Sequence, residues 1–208
     1  MRVLPSRHAV ATAFFMISTF CAAQDSLPGA GSDSWQRRGA DLYLFGQQFN
    51  DGKTRGTSGG ISLEMEMKNT TVYGLGVTGR GQYVGVGLDC FFGSTDLIGH
   101  GLGQTVELDS TIVGLECNVE ITPMPTRLTP VLSGGVGLIS FSNDDEDVEE
   151  SDFSYNLAGG LRWDITDFFF ASAMYKVTWT TLEETDDPMK LSGFRLALGF
   201  GAHPSVRR

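Results

Sequence analysis

From Ile61 to Ala202 the chain repeats one pattern with a period of two residues, and that pattern limits what it can fold into. Along each segment one side carries large apolar residues, while the other carries Gly, Ser, Thr, Asn and a few charges. Around Cys117, for example, Val113, Leu115, Cys117, Val119 and Ile121 fall on one side, and Gly114, Glu116, Asn118 and Glu120 on the other. Successive side chains of a β-strand point to opposite faces at a rise of about 3.3 Å per residue, so each segment is apolar on one face only. The 27 glycines among 208 residues lower helix propensity further.

The first residues follow a different rule. Arg2 and Arg7 give a positive n-region, Ala9 to Phe20 is an apolar stretch, and Cys21-Ala22-Ala23 supplies the small residues of a peptidase site. This predicts a signal peptide over residues 1–23, cleaved after Ala23. The apolar stretch is well short of the roughly 20 residues a spanning helix needs. Phe20 stands where a lipoprotein signal wants a small residue, so Cys21 is not read as lipidated. Cleavage removes Arg2 and Arg7 and moves the formal net charge from −10 to −12. So acidic a chain lacks the basic face that phosphate binding requires, which argues against nucleic acid as a partner. Its length suits one domain.

A leader over residues 24–38, a barrel over 39–202 and a tail over 203–208 are the predicted divisions of the exported chain. The first strand runs from about Arg38 to Phe49, with ambiguous facing because Asp41 shares a side with Tyr43 and Phe45. Asn50 to Gly60 reads as a turn-rich loop. The second strand places Ile61, Leu63, Met65, Met67, Thr71, Tyr73, Leu75 and Val77 on one face, and Gly79-Arg80-Gly81 makes a tight reversal. Strand three (Val84–Phe92) leads through a polar stretch, Gly93 to Asp109, into strand four (Ser110–Ile121). Pro123-Met124-Pro125 then turns the chain into strand five (Arg127–Phe141), since proline cannot donate within a sheet. The acidic run Asn143 to Asp152 precedes strand six (Phe153–Ile165). A tight turn over 164–167 leads to strand seven (Phe169–Trp179), and an acidic loop, Glu183 to Pro188, to strand eight (Met189–Ala202). Short turns alternate with longer polar loops along this meander, as in an outer-membrane barrel.

Alternation alone does not say which face is wet, because a soluble lipocalin-like barrel is amphipathic with its apolar face inward. Three features favour a membrane. Glycine crowds the polar face (Gly74, Gly76, Gly85, Gly87, Gly135 and Gly137 among others), which suits the narrow lumen of eight strands. Aromatics cluster near strand ends on the apolar face, at Phe92, Phe153, Trp163, Phe169, Trp179 and Phe200, where interfacial girdles belong. The apolar faces also carry almost no charge.

The segment Asn156-Leu157-Ala158-Gly159-Gly160-Leu161-Arg162-Trp163-Asp164-Ile165-Thr166-Asp167 is similar to the strand–turn–strand before the last hairpin of the small outer-membrane β-barrel family, the OmpA transmembrane-domain and OmpX type. Gly193-Phe194-Arg195-Leu196-Ala197-Leu198, closing on Phe200, resembles the terminal-strand signal read by the barrel-assembly machinery, although the chain continues past the aromatic position where the family usually ends. The resemblance covers about residues 39–202.

Asp89, Glu116, Glu120, Arg162, Asp164, Lys176 and Arg195 fall on the inward face and are read as a structural salt-bridge network in which Glu116 and Glu120 meet Arg162, Lys176 or Arg195, since charges in a narrow barrel must be paired. Cys90 and Cys117 fall on apolar faces of consecutive strands. Unpaired lipid-facing thiols are preferred there over a cross-strand disulfide. The carboxylates of Asp144 to Asp152 lack the spacing of a calcium loop and read as a solvated outer loop. His100 and His203 have no Ser/acid spacing around them, and no cofactor or metal motif occurs. The expectation is an all-β, eight-stranded antiparallel up-and-down transmembrane β-barrel of the bacterial outer membrane, non-enzymatic, with a structural or surface-interaction role. Its expected partners are outer-membrane lipid, the barrel-assembly machinery and an extracellular partner at the acidic loops. The alternatives are a narrow ion or solute pore and a secreted soluble barrel that binds a hydrophobic ligand.

Overall fold

The computed structural model describes residues 39–202 except 51, 59–60, 102–103, 125, 144–147 and 182–186. Its strands are β1 (Gly39–Phe49), β2 (Gly52–Ser58), β3 (Ile61–Met67), β4 (Thr70–Arg80), β5 (Val84–Gly101), β6 (Gln104–Ile121), β7 (Leu128–Asn143), β8 (Val148–Asp164), β9 (Phe169–Thr180) and β10 (Met189–Ala202). All neighbours are antiparallel. The order β1-β4-β5-β6-β7-β8-β9-β10 closes where β10 pairs with β1, so eight staves form an up-and-down barrel. Stepping once around from Ala40 through Gly79, Val86, Val119, Gly134, Leu157, Val177 and Ser192 returns to β1 at Asn50, a stagger of ten residues. The strands are therefore tilted, and each hydrogen-bonded row climbs the wall by a little over one residue per strand.

The period-two pattern sorts the side chains across this wall. Leu42, Leu44, Leu75, Leu115, Leu157 and Leu196 face out, with Leu44 at 70% exposure, while Asp41, Tyr43, Phe45 and Gln47 of β1 face in and are buried. The ambiguity of β1 is thus resolved with its acidic and aromatic side inward. An apolar outer wall around a packed polar interior is the reverse of a soluble ligand-carrying barrel, which removes that alternative. Three inward rings find room because glycine is their direct cross-strand partner: Tyr43 opposite Gly76, Phe45 opposite Gly74, and Phe91 opposite Gly114. A Cβ on any of those glycines would collide with the ring.

Several sequence expectations change at the rim away from the chain termini. Asn50 to Gly60 contains β2 rather than a loop, and Gly93 to Asp109 is the outer half of a hairpin made by β5 and β6. Met67 does not share a face with Tyr73: Met67 is fully buried, whereas Tyr73 is 60% exposed. Between Met67 and Val72 the chain has four residues where β5 has three, a β-bulge that flips the facing at Lys68-Asn69. At the opposite rim, near the termini, Arg80 ends β4 as an inward residue, and the reversal shifts to Gly81–Tyr83, closed by Gly81 N–H donating to Val84 O at 2.8 Å. The acidic run is partly strand: β8 begins at Val148, while residues 144–147 and the side chains of 148–151 lie outside the described residues. Cys90 and Cys117 are free and face outward. Cys90 pairs with Leu115 and Cys117 with Leu88, a diagonal of about 7–8 Å between strands, too long for a disulfide's Cβ span of about 4 Å.

β2, β3 and the outer halves of β5 and β6 form a four-stranded blade above the barrel wall. Met67 and Leu97 on its inner side, with Met65 and Leu108 beside them, pack against Phe49, Ile139, Phe141, Met189 and Leu191. This apolar cap closes the lumen at that rim. A charge at mid-wall should be costly if the wall faces hydrocarbon: Leu44→Lys is expected to lower unfolding stability by about 2–4 kcal/mol in lipid vesicles. Urea titration measures this, and an unchanged midpoint would contradict a lipid-facing wall.

Candidate functional site

The lumen is the site where chemistry is concentrated. Inward parity carries charges into it from β1, β4, β5, β6, β8, β9 and β10, and the climb of the rows stacks them in layers along the barrel axis.

The layer near the termini is built on Asp41. Its Oδ2 accepts from Arg80 Nε at 2.9 Å and from Arg162 Nη1 at 2.6 Å, and Arg162 Nη2 reaches its Oδ1 at 3.3 Å. Arg162 Nε also donates to Asp164 Oδ1 at 2.9 Å, and Arg80 Nη2 donates to Glu120 Oε2 at 2.6 Å. The Arg162 guanidinium lies 3.6 Å above the Phe170 ring. In the next layer Asp89 is the hub. Arg195 grips it with two parallel bonds of 2.7 and 2.9 Å, Tyr43 Oη donates to its Oδ1 at 2.8 Å, and Asn118 Nδ2 donates to its Oδ2 at 2.8 Å. Such a fork-to-carboxylate pair is among the stronger charge-assisted contacts. Arg195 also stacks 3.8 Å over Phe45. Higher still, Lys176 Nζ donates to Glu116 Oε2, both groups being almost fully buried. The space left among Arg80, Glu120, Arg162 and Arg195 is a cavity of about 20 Å³, room for roughly one water.

The five charges expected to pair with one another, Glu116, Glu120, Arg162, Lys176 and Arg195, lie in the lumen, none more than 8% exposed, and Asp89 and Asp164, also read as inward, are buried there too. Their pairing differs from the expectation in three cases. Glu120 meets Arg80, Arg162 meets Asp41 and Asp164, and Arg195 meets Asp89; Glu116 with Lys176 is the one pairing inside the expected set. Sequence reasoning missed Asp41 and Arg80. Asp41 sat beside two aromatics that look like a lipid face, and Arg80 sat between two glycines that look like a turn. The signal that could have found them is parity counted against the glycines of the facing strand.

The six girdle aromatics all face outward, at two levels. Trp163, Phe169 and Phe200 ring the end near the termini, where Phe169 and Phe200 meet edge to face at 5.4 Å. Phe92, Phe153 and Trp179 ring the other, with Trp179 stacked on Tyr155 at 5.2 Å. His100 is on the blade, its Nδ1 3.0 Å from Thr105 Oγ1, and His203 lies outside the described residues. Among the described residues no three His, Cys, Asp or Glu side chains group as metal ligands.

Breaking a hub should cost more than deleting it. Arg195→Met leaves the Asp89 carboxylate buried without its cation and is expected to lower stability by about 3–5 kcal/mol. The double variant D89N/R195M should recover most of that loss in the same urea titration; an additive double loss would show that the pair is not coupled.

A family model for the outer membrane protein beta-barrel domain matches residues 11–201. No curated protein sequence matches the chain significantly. Among solved structures, the N-terminal β-barrel domain of Pseudomonas aeruginosa OprF is similar with a TM-score of 0.51 at 16% identity, over 80% of this chain and 99% of that one. Neisserial surface protein A (NspA) is similar with a TM-score of 0.54 at 10% identity, over 79% of this chain and 99% of that one. At those identities the likeness is one of fold, and it agrees with the closed eight-staved barrel. The family model spans nearly the whole chain, and the protein therefore belongs to the outer membrane protein beta-barrel domain family of the bacterial outer membrane.

Proposed function

We propose that this is a non-conducting, non-enzymatic barrel that strengthens the envelope and presents its blade to a partner outside the cell. The observation that carries the reading is the filled lumen, crossed by ion pairs at three levels and closed by the apolar cap. Eight staves leave an interior just wide enough for side chains, which argues against a solute pore. In this reading residues 1–23 direct export and are removed, with 24–38 as a leader and 203–208 as a tail. The segment Gly193–Phe200 engages the assembly machinery, and the two aromatic rings sit at the two lipid–water interfaces.

Short turns face the periplasm in barrels of this kind and long hairpins face outward, which puts the blade outside the cell. Support for a binding role comes from its free edge. β6 pairs with β5 along its whole length but with β7 only from Thr111, so among the described residues Gln104 to Ser110 have no strand partner on the side away from β5. Along that edge Glu107 and Asp109 alternate with Val106 and Leu108. An extended segment with alternating basic and apolar residues fits it by strand addition. The same acids disfavour self-pairing.

Reconstituted in planar bilayers, residues 24–208 should give no steady conductance step; a resolved open level would favour the narrow-pore alternative. Affinity for an alternating Lys–Val peptide should fall about tenfold in the variant E107K/D109K, the scale of like charges set against each other. Equal binding by both proteins would remove the blade from the proposal.

A further inference from the structure

Of the chain's four lysines, three meet a carboxylate. Lys53 pairs with Glu66, Lys68 with Asp96 and Glu107, and Lys176 with Glu116. Lys190 has no carboxylate partner among the described residues, and it is exposed. It stands at the start of β10 on the outward face, at the rim that carries the blade. Its direct cross-strand partner is Trp179 of the girdle, which lies stacked on Tyr155 at 5.2 Å with 14° between the ring planes. Ser192 is the next outward residue of β10. Across the seam of the barrel it faces Asn50, and Gln48 is the outward residue of β1 just below. Asn50 and Gln48 are both exposed. One ammonium, one hydroxyl and two carboxamides are thus gathered on the outer wall at girdle level. None of the described outward residues of β1 and β10 is acidic.

An ammonium on a wall that meets lipid is tolerated where its head reaches the interface, and there it attracts an anion. The anions at that depth are the phosphates of lipid headgroups. We infer that Lys190, Ser192, Asn50 and Gln48 form a binding site for the phosphorylated headgroup of a sugar-based lipid in the outer leaflet. The leaflet follows from the reading above that the blade faces outside the cell, and the inference rests on that reading. Lys190 donates to the phosphate in a charge-assisted contact, stronger than a neutral hydrogen bond. Ser192 adds a hydroxyl donor. The carboxamides of Asn50 and Gln48 both donate and accept, as sugar hydroxyls do, so they select a sugar over a plain glycerol phosphate. The Trp179–Tyr155 stack flanks the ammonium with apolar rings at the depth where acyl chains meet headgroups. Because Lys190 and Asn50 lie on β10 and β1, a headgroup held between them ties the last stave to the first from outside.

The test titrates the folded protein in detergent micelles with a phosphorylated, acylated glucosamine disaccharide. The same glycolipid without phosphate, phosphatidylglycerol and inorganic phosphate are titrated beside it. The phosphorylated glycolipid should bind more tightly than all three. Lys190→Gln should weaken it about tenfold, the scale of one hydrogen bond to a charged group, and Lys190→Arg should retain it. Lys53→Gln, on the blade, should leave it unchanged. Equal affinity for any of the three comparison probes overturns the inference, and so does an unchanged affinity in Lys190→Gln. The comparison of probes needs only the wild-type chain, so it decides the matter even if a variant fails to refold. Orientation is checked separately, with Thr105→Cys on the blade and an impermeant maleimide on intact cells. Labelling is expected. A labelled blade with no loss in Lys190→Gln overturns the lipid site and leaves the orientation standing. An unlabelled blade puts Lys190 in the other leaflet and overturns both.

Discussion

Closing eight tilted strands leaves a lumen only a side chain or two across, and most of the interior follows from that confinement. No inward position can hold a large group unless its neighbour gives up volume. Tyr43, Phe45 and Phe91 therefore lie over Gly76, Gly74 and Gly114, their own ladder partners. A charge in the same space is cut off from bulk water and must find its counterion across the barrel. Arg195 reaches Asp89 from a strand far away in sequence, and Arg162 reaches Asp41 in the same way. Buried pairs of this type are weak as net stabilisers and costly to break, so they tie distant staves into one register.

The outer wall answers the opposite demand. Every second residue meets hydrocarbon, and leucine, valine and the exposed face of tyrosine fill that role without polar atoms at mid-height. The free cysteines are part of this wall, separated by the register of β5 on β6, and they behave as small apolar residues.

At the far rim the barrel stops obeying a single alternation. The bulge at Lys68-Asn69 turns Met67 inward, and the blade it begins supplies half of the cap that closes the lumen. Among the described residues the outer part of β6 pairs with β5 alone.

Alternation, composition and the spacing of turns determined the architecture: eight staves, the outward leucines, the inward glycines and seven of the lumen charges were legible residue by residue. What was illegible depended on partners distant in the chain. The inward facing of Asp41 and Arg80, the flip at Lys68-Asn69 and the strand character of 93–109 are set by what lies on the adjacent strand. Which acid meets which base is fixed by the ten-residue stagger, a property of closure that no local window contains. Which face of each strand is apolar is written in the order of residues, because side-chain alternation is a local consequence of backbone geometry. Which lumen groups meet follows from barrel closure, because their levels depend on how far the sheet slips before it closes.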